Sequence, residues 1–209
     1  MDIAIVNYGI GNLRSAEKAF QHLGLDAQLT TNPAALKGAR KIILPGVGNF
    51  GACMQKLRAN GFVEPLLEAV RAGTPLLGIC VGLQMLFEGS EESVEEPGLG
   101  LLRGRVRRFS GPAFSGPDGL KIPQIGWNAL EFPARAHPLF SGLKPGSHVY
   151  FVHSYSVQPA DPGIVLAWSD YGGRFCAAAG QGNILGVQFH PEKSQALGLS
   201  ILQNFSKVI

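Results

Sequence analysis

Short apolar runs and helical repeats of apolar residues alternate along the first half of the chain. An apolar run of about four to eight residues is typical of a buried strand, and apolar residues at every third or fourth position are typical of a helix. We predict strands at residues 2–7, 26–30, 41–44 and 75–79, and helices at residues 11–23, 52–57, 63–72 and 81–87. This alternation indicates a mainly parallel sheet that is covered by helices on both faces.

The second half of the chain predicts strands with few helices between them, which favours antiparallel hairpins. The predicted strands lie at residues 101–109, 126–132, 148–152, 164–169, 174–179 and 184–189. A last helix is predicted at residues 195–208, where Leu197, Ile201, Leu202 and Phe205 recur at helical spacing. Residues 89–98 and 110–118 are polar or rich in glycine and proline, so we interpret them as surface loops and assign them no chemistry.

These elements predict a single α/β domain over residues 1–209, because no repeat or linker interrupts the pattern. We expect three layers, in which a mixed, mainly parallel central sheet is flanked by helices. The hairpins of the second half would form an added antiparallel portion.

Composition and charge narrow the classes of function. The 209 residues include 18 Lys and Arg against 15 Asp and Glu, and a net charge of +3 is too small to indicate a nucleic-acid partner. Arg103, Arg105, Arg107 and Arg108 cluster on a predicted strand; we interpret them as a solvated face, with a docking surface as the alternative. The chain has no apolar run of about 18 residues and no signal-peptide pattern, so we expect a cytoplasmic protein without membrane contact.

The cysteines point to chemistry rather than to structure. Cys53, Cys80 and Cys176 are odd in number and widely spaced, which argues against a disulfide framework and a thiolate zinc site. Residues 78–82 read Gly-Ile-Cys-Val-Gly where a predicted strand meets a predicted helix, in the form of a nucleophile elbow. Such a turn lifts the thiol out of the sheet, near a helix N-terminus that favours the thiolate. A small buried cysteine is the alternative interpretation of Cys80.

A thiol nucleophile needs a base, and the chain offers five histidines: His22, His137, His148, His153 and His190. Only His190 has an orienting group in its own motif, since His-Pro-Glu at residues 190–192 ends the predicted strand 184–189. Side chains two residues apart at a strand end can lie on the same side. We therefore predict a catalytic triad of Cys80, His190 and Glu192, in the chain order of α/β-hydrolase-like sites.

Acyl transfer also requires N–H donors for the oxyanion of the tetrahedral intermediate. Residues 45–50 read Pro-Gly-Val-Gly-Asn-Phe and follow a predicted strand, at the carboxyl edge of the sheet where such sites lie. We predict donors from the backbone of Gly46, Val47 and Gly48 and from Val81, the residue after the nucleophile. A plain turn and a phosphate loop are alternatives, although the Lys-Ser/Thr ending of a nucleotide-binding loop is missing.

Together these motifs resemble the class I, triad-type glutamine amidotransferases over the whole chain. The shared segments are PGVGNF at 45–50, GICVGLQ at 78–84 and GVQFHPEKS at 186–194. The resemblance implies a flavodoxin-like fold and a glutaminase that needs no cofactor or metal. In it, Cys80 attacks the side-chain amide of glutamine, His190 passes a proton to the leaving ammonia and Glu192 orients His190. The resemblance also implies that Gln84, Ser154 and Tyr155 help to bind glutamine, and we interpret His153 as structural.

Residues 8–13 and 121–128 resemble one subfamily in particular. The resemblance implies that ammonia passes to a (β/α)₈-barrel cyclase subunit, with which the chain forms a heterodimer. The predicted interface residues are Tyr8, Asn12, Gln124 and Trp127, with ordinary packing as the alternative for each. Gln124 departs from the pattern, since the subfamily usually has histidine there. Because glycines permit a peptide flip at little cost, we predict that residues 45–48 rearrange and that the chain is nearly inactive until the partner is loaded.

Three other functions stay open from the sequence alone. The chain could be the glutaminase of another synthase, although residues 8–13 and 121–128 argue against that. A stand-alone cysteine hydrolase of similar fold would work without any partner. A non-catalytic interaction module is the third alternative, and the intact residues Cys80, His190 and Glu192 argue against it.

Overall fold

The first half of the chain folds as the predicted alternation of strands and helices. The computed structural model describes residues 1–207. Its first elements are β1 (Ile3–Val6), α1 (Leu13–His22), β2 (Ala27–Thr30), β3 (Lys41–Gly46), α2 (Phe50–Ala59), α3 (Val63–Arg71), β4 (Leu76–Cys80) and α4 (Val81–Met85). A 3₁₀ helix at Pro33–Gly38 is an addition to the prediction, and the Asn32 side chain caps it by accepting a hydrogen bond from the Ala34 N–H.

The second half contains mostly short strands. In chain order they are β5 (Gly89–Ser90), β6 (Ser93–Pro97), β7 (Gly104–Arg108), β8 (Gln124–Ala129), β9 (His148–His153), β10 (Tyr155–Pro159), β11 (Val165–Asp170), β12 (Arg174–Gln181) and β13 (Ile184–Val187). The last helix is α5 (Gln195–Lys207), and residue 208 of its predicted range lies outside the described residues.

A seven-stranded central sheet has the order β11-β12-β13-β4-β3-β1-β2. Its strands from β13 to β2 are parallel to one another, whereas β11, β12 and β13 pair antiparallel. Two smaller sheets have the orders β10-β7-β5-β6 and β8-β9. The expected mixed, mainly parallel sheet with an antiparallel portion is therefore confirmed.

Burial explains why the central strands can be predicted from the sequence. Every residue of β1, β3 and β4 is buried, as expected of parallel strands that are covered on both faces. Their side chains join one core that also includes Phe20, Phe50 and Phe205 from three of the helices. Such strands need apolar residues at nearly every position, and that produces the apolar runs in the sequence.

The prediction of a surface loop at residues 89–98 is wrong. β5 and β6 form part of the four-stranded sheet there. β6 is largely exposed and carries Glu95 and Glu96, so it lacks the apolar alternation that marks a strand. β10 is also absent from the predicted strands. The predicted strand 101–109 is longer than β7, and the predicted strand 126–132 is shifted towards the C-terminus relative to β8. Residues 110–118 are mainly exposed, as predicted. They include one short 3₁₀ helix, Pro112–Phe114, which has no buried residue.

Three arginines of the cluster lie on β7: Arg105, Arg107 and Arg108 are exposed, while Val106 between them is buried. Arg107 Nε lies 3.7 Å from a carboxylate oxygen of Glu91. The interpretation as a solvated strand face fits this placement, and the alternative of a docking surface stays untested. Among residues 1–207, no helix is long and apolar enough to cross a membrane.

We expect the variant Gly198→Ala to destabilise the protein. A Cβ at Gly198 would lie 1.8 Å from the Pro191 carbonyl oxygen, where α5 packs against the 3₁₀ turn Pro191–Lys193. Alanine favours a helix over glycine by about 1 kcal/mol, but overpacking of this kind costs about 1–3 kcal/mol or more. Urea unfolding should therefore show a net loss of about 1–2 kcal/mol.

Gly38→Ala is the matched control, because Gly38 is exposed and nothing lies within 4 Å of the position that an added methyl group would take. Its free energy of unfolding should stay within about 0.5 kcal/mol of the wild type. Equal stability of the two variants would contradict a tight contact between α5 and the turn.

Candidate active site

Three neighbouring strands end at the same edge of the central sheet and bring the predicted site together. Gly46 at the end of β3 pairs with Cys80 at the end of β4. On the other side of β4, Val187 of β13 pairs with Ile79, so the residues that follow β13 come next to Cys80. The carboxyl edge of a parallel sheet is where such folds place their ligands.

Cys80 stands on the sharp turn that the sequence predicts. Its φ of 57° and ψ of −111° are unusual for a residue other than glycine. A Cβ at Gly78 would lie 2.6 Å from the Gly82 carbonyl oxygen, and one at Gly82 would lie 1.9 Å from the Leu44 carbonyl oxygen. Both glycines are therefore required for β4 to pass directly into α4, and the turn presents the Cys80 side chain at the start of that helix.

Cys80 and His190 face a common cavity of about 490 Å³. The His190 Nδ1 atom lies 2.8 Å from Glu192 Oε1, and both side chains are only 2% exposed. Asn12 supports the pair, because its Nδ2 donates a hydrogen bond to the same Oε1 at 3.1 Å. The other predicted residues that line the cavity are Val47, Gly48, Val81, Gln84, Ser154 and Tyr155, and Gly46 lies beside it next to Cys80.

The electrostatics of the site favour a charged imidazole. Burial by itself lowers the pKa of His190, but its interactions with the Cys80 sulfur and Glu192 outweigh burial and raise the pKa to about 10. His190 Nε2 has no hydrogen-bond partner among residues 1–207, so the Cys80 sulfur acts on the imidazole through its charge in this conformation. Burial raises the pKa of Glu192, yet the bond and charge of His190 and the bond from Asn12 leave it lowered. An imidazolium beside a carboxylate is the state reached after His190 takes the thiol proton.

A second buried histidine, His153, has a lowered pKa, in contrast to His190. His153 Nδ1 lies 2.8 Å from the Tyr155 carbonyl oxygen, and because a carbonyl only accepts, Nδ1 must carry the proton. Burial lowers the pKa of His153 to about 4, so its imidazole is neutral near pH 7. His153 Nε2 is then an acceptor, and it has no hydrogen-bond partner among residues 1–207.

Two buried side chains, Tyr8 and Cys53, form hydrogen bonds with backbone carbonyls of the predicted oxyanion segment. The Tyr8 hydroxyl donates a hydrogen bond to the Pro45 carbonyl at 2.8 Å, and the Cys53 thiol donates to the Val47 carbonyl at 3.4 Å. Burial raises the pKa of both Tyr8 and Cys53, so both keep the proton that they donate. Gly48 follows with a φ of 81°, a conformation that glycine adopts easily.

The four predicted interface residues have different surroundings. Tyr8 and Gln124 are each 1% exposed, so their side chains do not reach the surface, as in the alternative of ordinary packing. Gln124 Nε2 donates to Asn128 Oδ1 at 2.8 Å. Asn12 is half-buried against Glu192, and Trp127 is exposed. The interface role stays a prediction, which the structure leaves open for Asn12 and Trp127.

Three polar residues of the site, Glu92, Lys193 and Gln188, are absent from the sequence prediction. Glu92 lines the cavity, and its Oε2 accepts a hydrogen bond from the Phe50 N–H at 2.6 Å. The sequence predicts a loop without chemistry for its segment, and nothing in the local pattern distinguishes Glu92 from other surface glutamates. Lys193 also lines the cavity, and Gln188 is fully buried next to Cys80. Both belong to the GVQFHPEKS segment, which is the signal that could have identified them.

The fold and the elbow together define an α/β protein with a cysteine presented at the edge of a mainly parallel sheet. A family model described as glutamine amidotransferase class-I matches residues 4–208. The chain belongs to the class-I glutamine amidotransferase family, and it is an enzyme of the glutamine-hydrolysing type. A cysteine nucleophile is typical of that family.

Individual relatives narrow the comparison. The chain is 51% identical over 203 residues to a Syntrophotalea carbinolica protein named imidazole glycerol phosphate synthase subunit HisH, covering 97% of this chain and 98% of the relative. A Geobacter sulfurreducens protein of the same name is 48% identical over 206 residues, covering 99% and 98% of the two chains.

Solved structures share the fold. A crystal structure of a glutamine amidotransferase matches with a TM-score of 0.74 and 23% identity, covering 100% of both chains. A glutamine amidotransferase from Thermotoga maritima matches with a TM-score of 0.64 and 16% identity, covering 99% of this chain and 83% of the other. At these identities the likeness concerns the fold alone.

We expect His153 to make the stability of the fold depend on pH. Its folded pKa of about 4 is depressed, so below the usual value of 6.5 the unfolded chain takes up a proton that the folded chain refuses. Stability should therefore fall as the pH drops from about 6.5 towards 4. His153→Asn can keep a side-chain N–H near the Tyr155 carbonyl but cannot titrate. Urea unfolding at about pH 7.5 and pH 4.5 should show a loss of stability about 2 kcal/mol smaller than in the wild type.

His148→Asn is the control, since His148 is an exposed histidine at the start of the same strand, β9. It should lose as much stability on acidification as the wild type does. Parallel pH curves for the wild type and His153→Asn would show that burial of a neutral His153 does not limit acid stability.

Proposed function

We propose that the chain is the glutaminase subunit of an imidazole glycerol phosphate synthase, working in histidine biosynthesis. The observation that carries this proposal is the identity of 51% and 48% to proteins of that name over nearly the full length of both chains. The cavity with Cys80 and His190 supports it, because it supplies the parts that hydrolysis of an amide requires. We further propose that residues 1–209 act as one domain in the cytoplasm.

The proposed reaction starts with attack of the Cys80 sulfur on the side-chain carbonyl carbon of glutamine. The thiol proton passes to His190, which then donates it to the leaving nitrogen as the C–N bond breaks and ammonia departs. Water, deprotonated by His190, cleaves the thioester and releases glutamate with Cys80 again a thiol. Glu192 keeps the imidazole oriented and stabilises its charged form. The distance of 2.8 Å between His190 Nδ1 and Glu192 Oε1 supports this role.

Stabilisation of the oxyanion is proposed for backbone N–H groups on two sides of Cys80. The Val81 N–H opens α4 directly after the nucleophile, and residues 46–48 lie on the neighbouring strand end. Val47 and Gly48 line the cavity, which supports a donor from that segment. We propose that this segment rearranges when the partner is loaded, as its glycines permit.

We propose that Glu92 and Gln84 recognise the amino-acid end of glutamine. Glu92 is a carboxylate in the cavity wall and can accept from a substrate ammonium group. Gln84 is 3% exposed and is held by the Tyr155 carbonyl, which its Nε2 reaches at 3.0 Å. Ser154 and Tyr155 complete this side of the cavity.

The proposed partner is a (β/α)₈-barrel cyclase subunit, which would use the ammonia to make imidazole glycerol phosphate and aminoimidazole carboxamide ribotide. Ile125 and Trp127 of β8 are 64% and 43% exposed, which is unusual for large apolar side chains. Trp127 packs on Tyr150, and the ammonium of Lys193 lies over the Tyr150 ring at 5.9 Å. Lys193 lines the cavity, so the exposed apolar residues adjoin its mouth. This continuity supports a partner seated over the cavity.

The proposal is tested by measuring glutamine hydrolysis by the chain alone and with a barrel cyclase subunit, each with and without the nucleotide ligand of the cyclase. We expect hydrolysis to rise mainly through kcat, and only with the loaded partner. Fast hydrolysis by the chain alone would instead favour a stand-alone cysteine hydrolase. Absence of hydrolysis in every mixture would favour another synthase partner.

Cys80→Ala should abolish glutamine hydrolysis, because no other group among the described residues near His190 can form the thioester. Synthesis by the partner from added ammonia should continue at the wild-type rate. Loss of the ammonia-driven reaction as well would contradict the proposed division of labour between the two subunits.

Glu92→Gln should raise the KM for glutamine about tenfold with a small change in kcat, because a hydrogen bond between charged groups is lost in binding. The amide oxygen of the variant can still accept from the Phe50 N–H, so the start of α2 is preserved. Glu91→Gln is the matched control, since Glu91 lies outside the cavity and faces Arg107. An unchanged KM in Glu92→Gln would remove Glu92 from the binding site.

A further inference from the structure

Gln188 is a buried polar residue beside the nucleophile that the proposed mechanism does not use. It is 0% exposed and directly follows β13. Because Val187 pairs with Ile79 in parallel register, the next residue on each strand brings Gln188 alongside Cys80. Its Nε2 lies 3.8 Å from the Cys80 sulfur. Hydrogen bonds to sulfur are longer than hydrogen bonds to oxygen, and this distance fits a sulfur acceptor.

The orientation of the Gln188 amide follows from a chain of hydrogen bonds that begins at a backbone carbonyl. Gln84 Nε2 lies 3.0 Å from the Tyr155 carbonyl oxygen, and because that oxygen can only accept, Gln84 must turn its NH₂ group towards it. The same NH₂ group lies 3.1 Å from the Gln188 side chain, which must therefore present its oxygen. The NH₂ group of Gln188 is then left to face Cys80.

We infer that Gln188 donates an N–H to the Cys80 sulfur and stabilises it as the thiolate once the thiol proton has passed to His190. Gln84 sets the direction of this donor by holding the Gln188 oxygen. The inference rests on the proposed function in that Cys80 is taken as the nucleophile. An N–H aimed at a sulfur in a buried site favours the anionic sulfur, since a thiolate is a much better acceptor than a thiol.

A purely structural role for Gln188 makes a different prediction. Buried amides need partners, and the hydrogen bond from Gln84 to the Gln188 oxygen would satisfy this need even if the Gln188 N–H had no effect on Cys80. In that case, replacement of Gln188 would lower stability without a specific effect on the reactivity of the sulfur. The rate of alkylation of Cys80 separates the two roles, because it follows the fraction of thiolate.

The experiment measures alkylation of Cys80 by iodoacetamide in the full chain at about pH 7, followed by mass spectrometry of the peptide that carries Cys80. Cys80→Ala defines the background from Cys53 and Cys176, both of which are buried. Gln188→Met removes the donor at similar volume, and we expect alkylation to slow about tenfold. A folded Gln188→Met that reacts at the wild-type rate would overturn the inference.

A second variant tests the direction of the hydrogen bonds and remains informative if Gln188→Met does not fold. The carboxylate introduced by Gln84→Glu has no N–H to donate, so Gln188 should turn its NH₂ towards it and its own oxygen towards the sulfur. We expect about tenfold slower alkylation than in Gln84→Met, in which Gln188 is free to keep its donor on the sulfur. Equal rates in Gln84→Glu and Gln84→Met would overturn the inference.

The added charge in Gln84→Glu could slow alkylation by itself, and a double-mutant cycle separates this effect. The cycle compares two double variants that both carry Gln188→Met. The one with Gln84→Glu should be alkylated less than about twofold more slowly than the one with Gln84→Met, because residue 188 then has no amide to turn. An equal slowing in both backgrounds would mean that charge alone acts, and would count against the inference.

Asn183→Ala controls for loss of stability. Asn183 Nδ2 donates to the Val70 and Thr74 carbonyls, each at 2.9 Å, at the opposite end of β13 from Gln188. This variant should unfold at lower urea concentration yet alkylate Cys80 at the wild-type rate. The assay needs neither glutamine nor a partner, so a failure of the proposed glutaminase function would show in hydrolysis and leave the alkylation result to be judged separately.

Discussion

The backbone conformation of Cys80 is the constraint on which the rest of the site depends. A positive φ at a residue with a Cβ costs of order 1–3 kcal/mol, so the surrounding structure must hold it in place. It is held because β3 and β13 pair with β4 on both sides, and because Gly78 and Gly82 allow the backbone of the turn to touch itself and Leu44. The strain is thus stored in the most buried part of the sheet. A thiol on a flexible loop would have no fixed position relative to His190.

Two buried histidines that line one cavity have opposite protonation states, and the difference lies in the groups that each ring faces. His190 faces the Cys80 sulfur and the Glu192 carboxylate, which together stabilise the imidazolium against the cost of burial. His153 faces a backbone carbonyl, which cannot offset that cost, so it stays neutral. The charge of His190 further lowers the pKa of His153. One cavity therefore combines a proton donor and a fixed neutral acceptor, with the division of roles set by the partner of each ring.

The sequence is sufficient for the central strands and for the contact between His190 and Glu192, because both follow from short-range patterns. Parallel strands covered on both faces must be apolar throughout, and a His-x-Glu spacing at a strand end puts both side chains on one side. β6 cannot be recognised, because an exposed strand at the edge of a small sheet carries polar residues on both faces. Glu92 is missed because nothing in the local pattern distinguishes it from other surface glutamates. The sequence also does not predict the burial of Tyr8 and Gln124, because no local pattern shows whether a single aromatic ring or amide side chain packs inside the protein or lies at the surface.

The burial of Tyr8 has a consequence for the oxyanion segment. Its hydroxyl and the Cys53 thiol hold the carbonyls of Pro45 and Val47, one on each side of the Gly46–Val47 peptide. A rotation of that single peptide would redirect the Val47 N–H while leaving both anchored carbonyls in place. A Cβ at Gly46 would lie 2.8 Å from the Gly82 nitrogen and 3.1 Å from the Tyr8 hydroxyl, so glycine is needed there for close packing as well as for rotation. The rearrangement that we propose for this segment would therefore need to move only the peptide next to the nucleophile, and the sheet beneath it could stay in place.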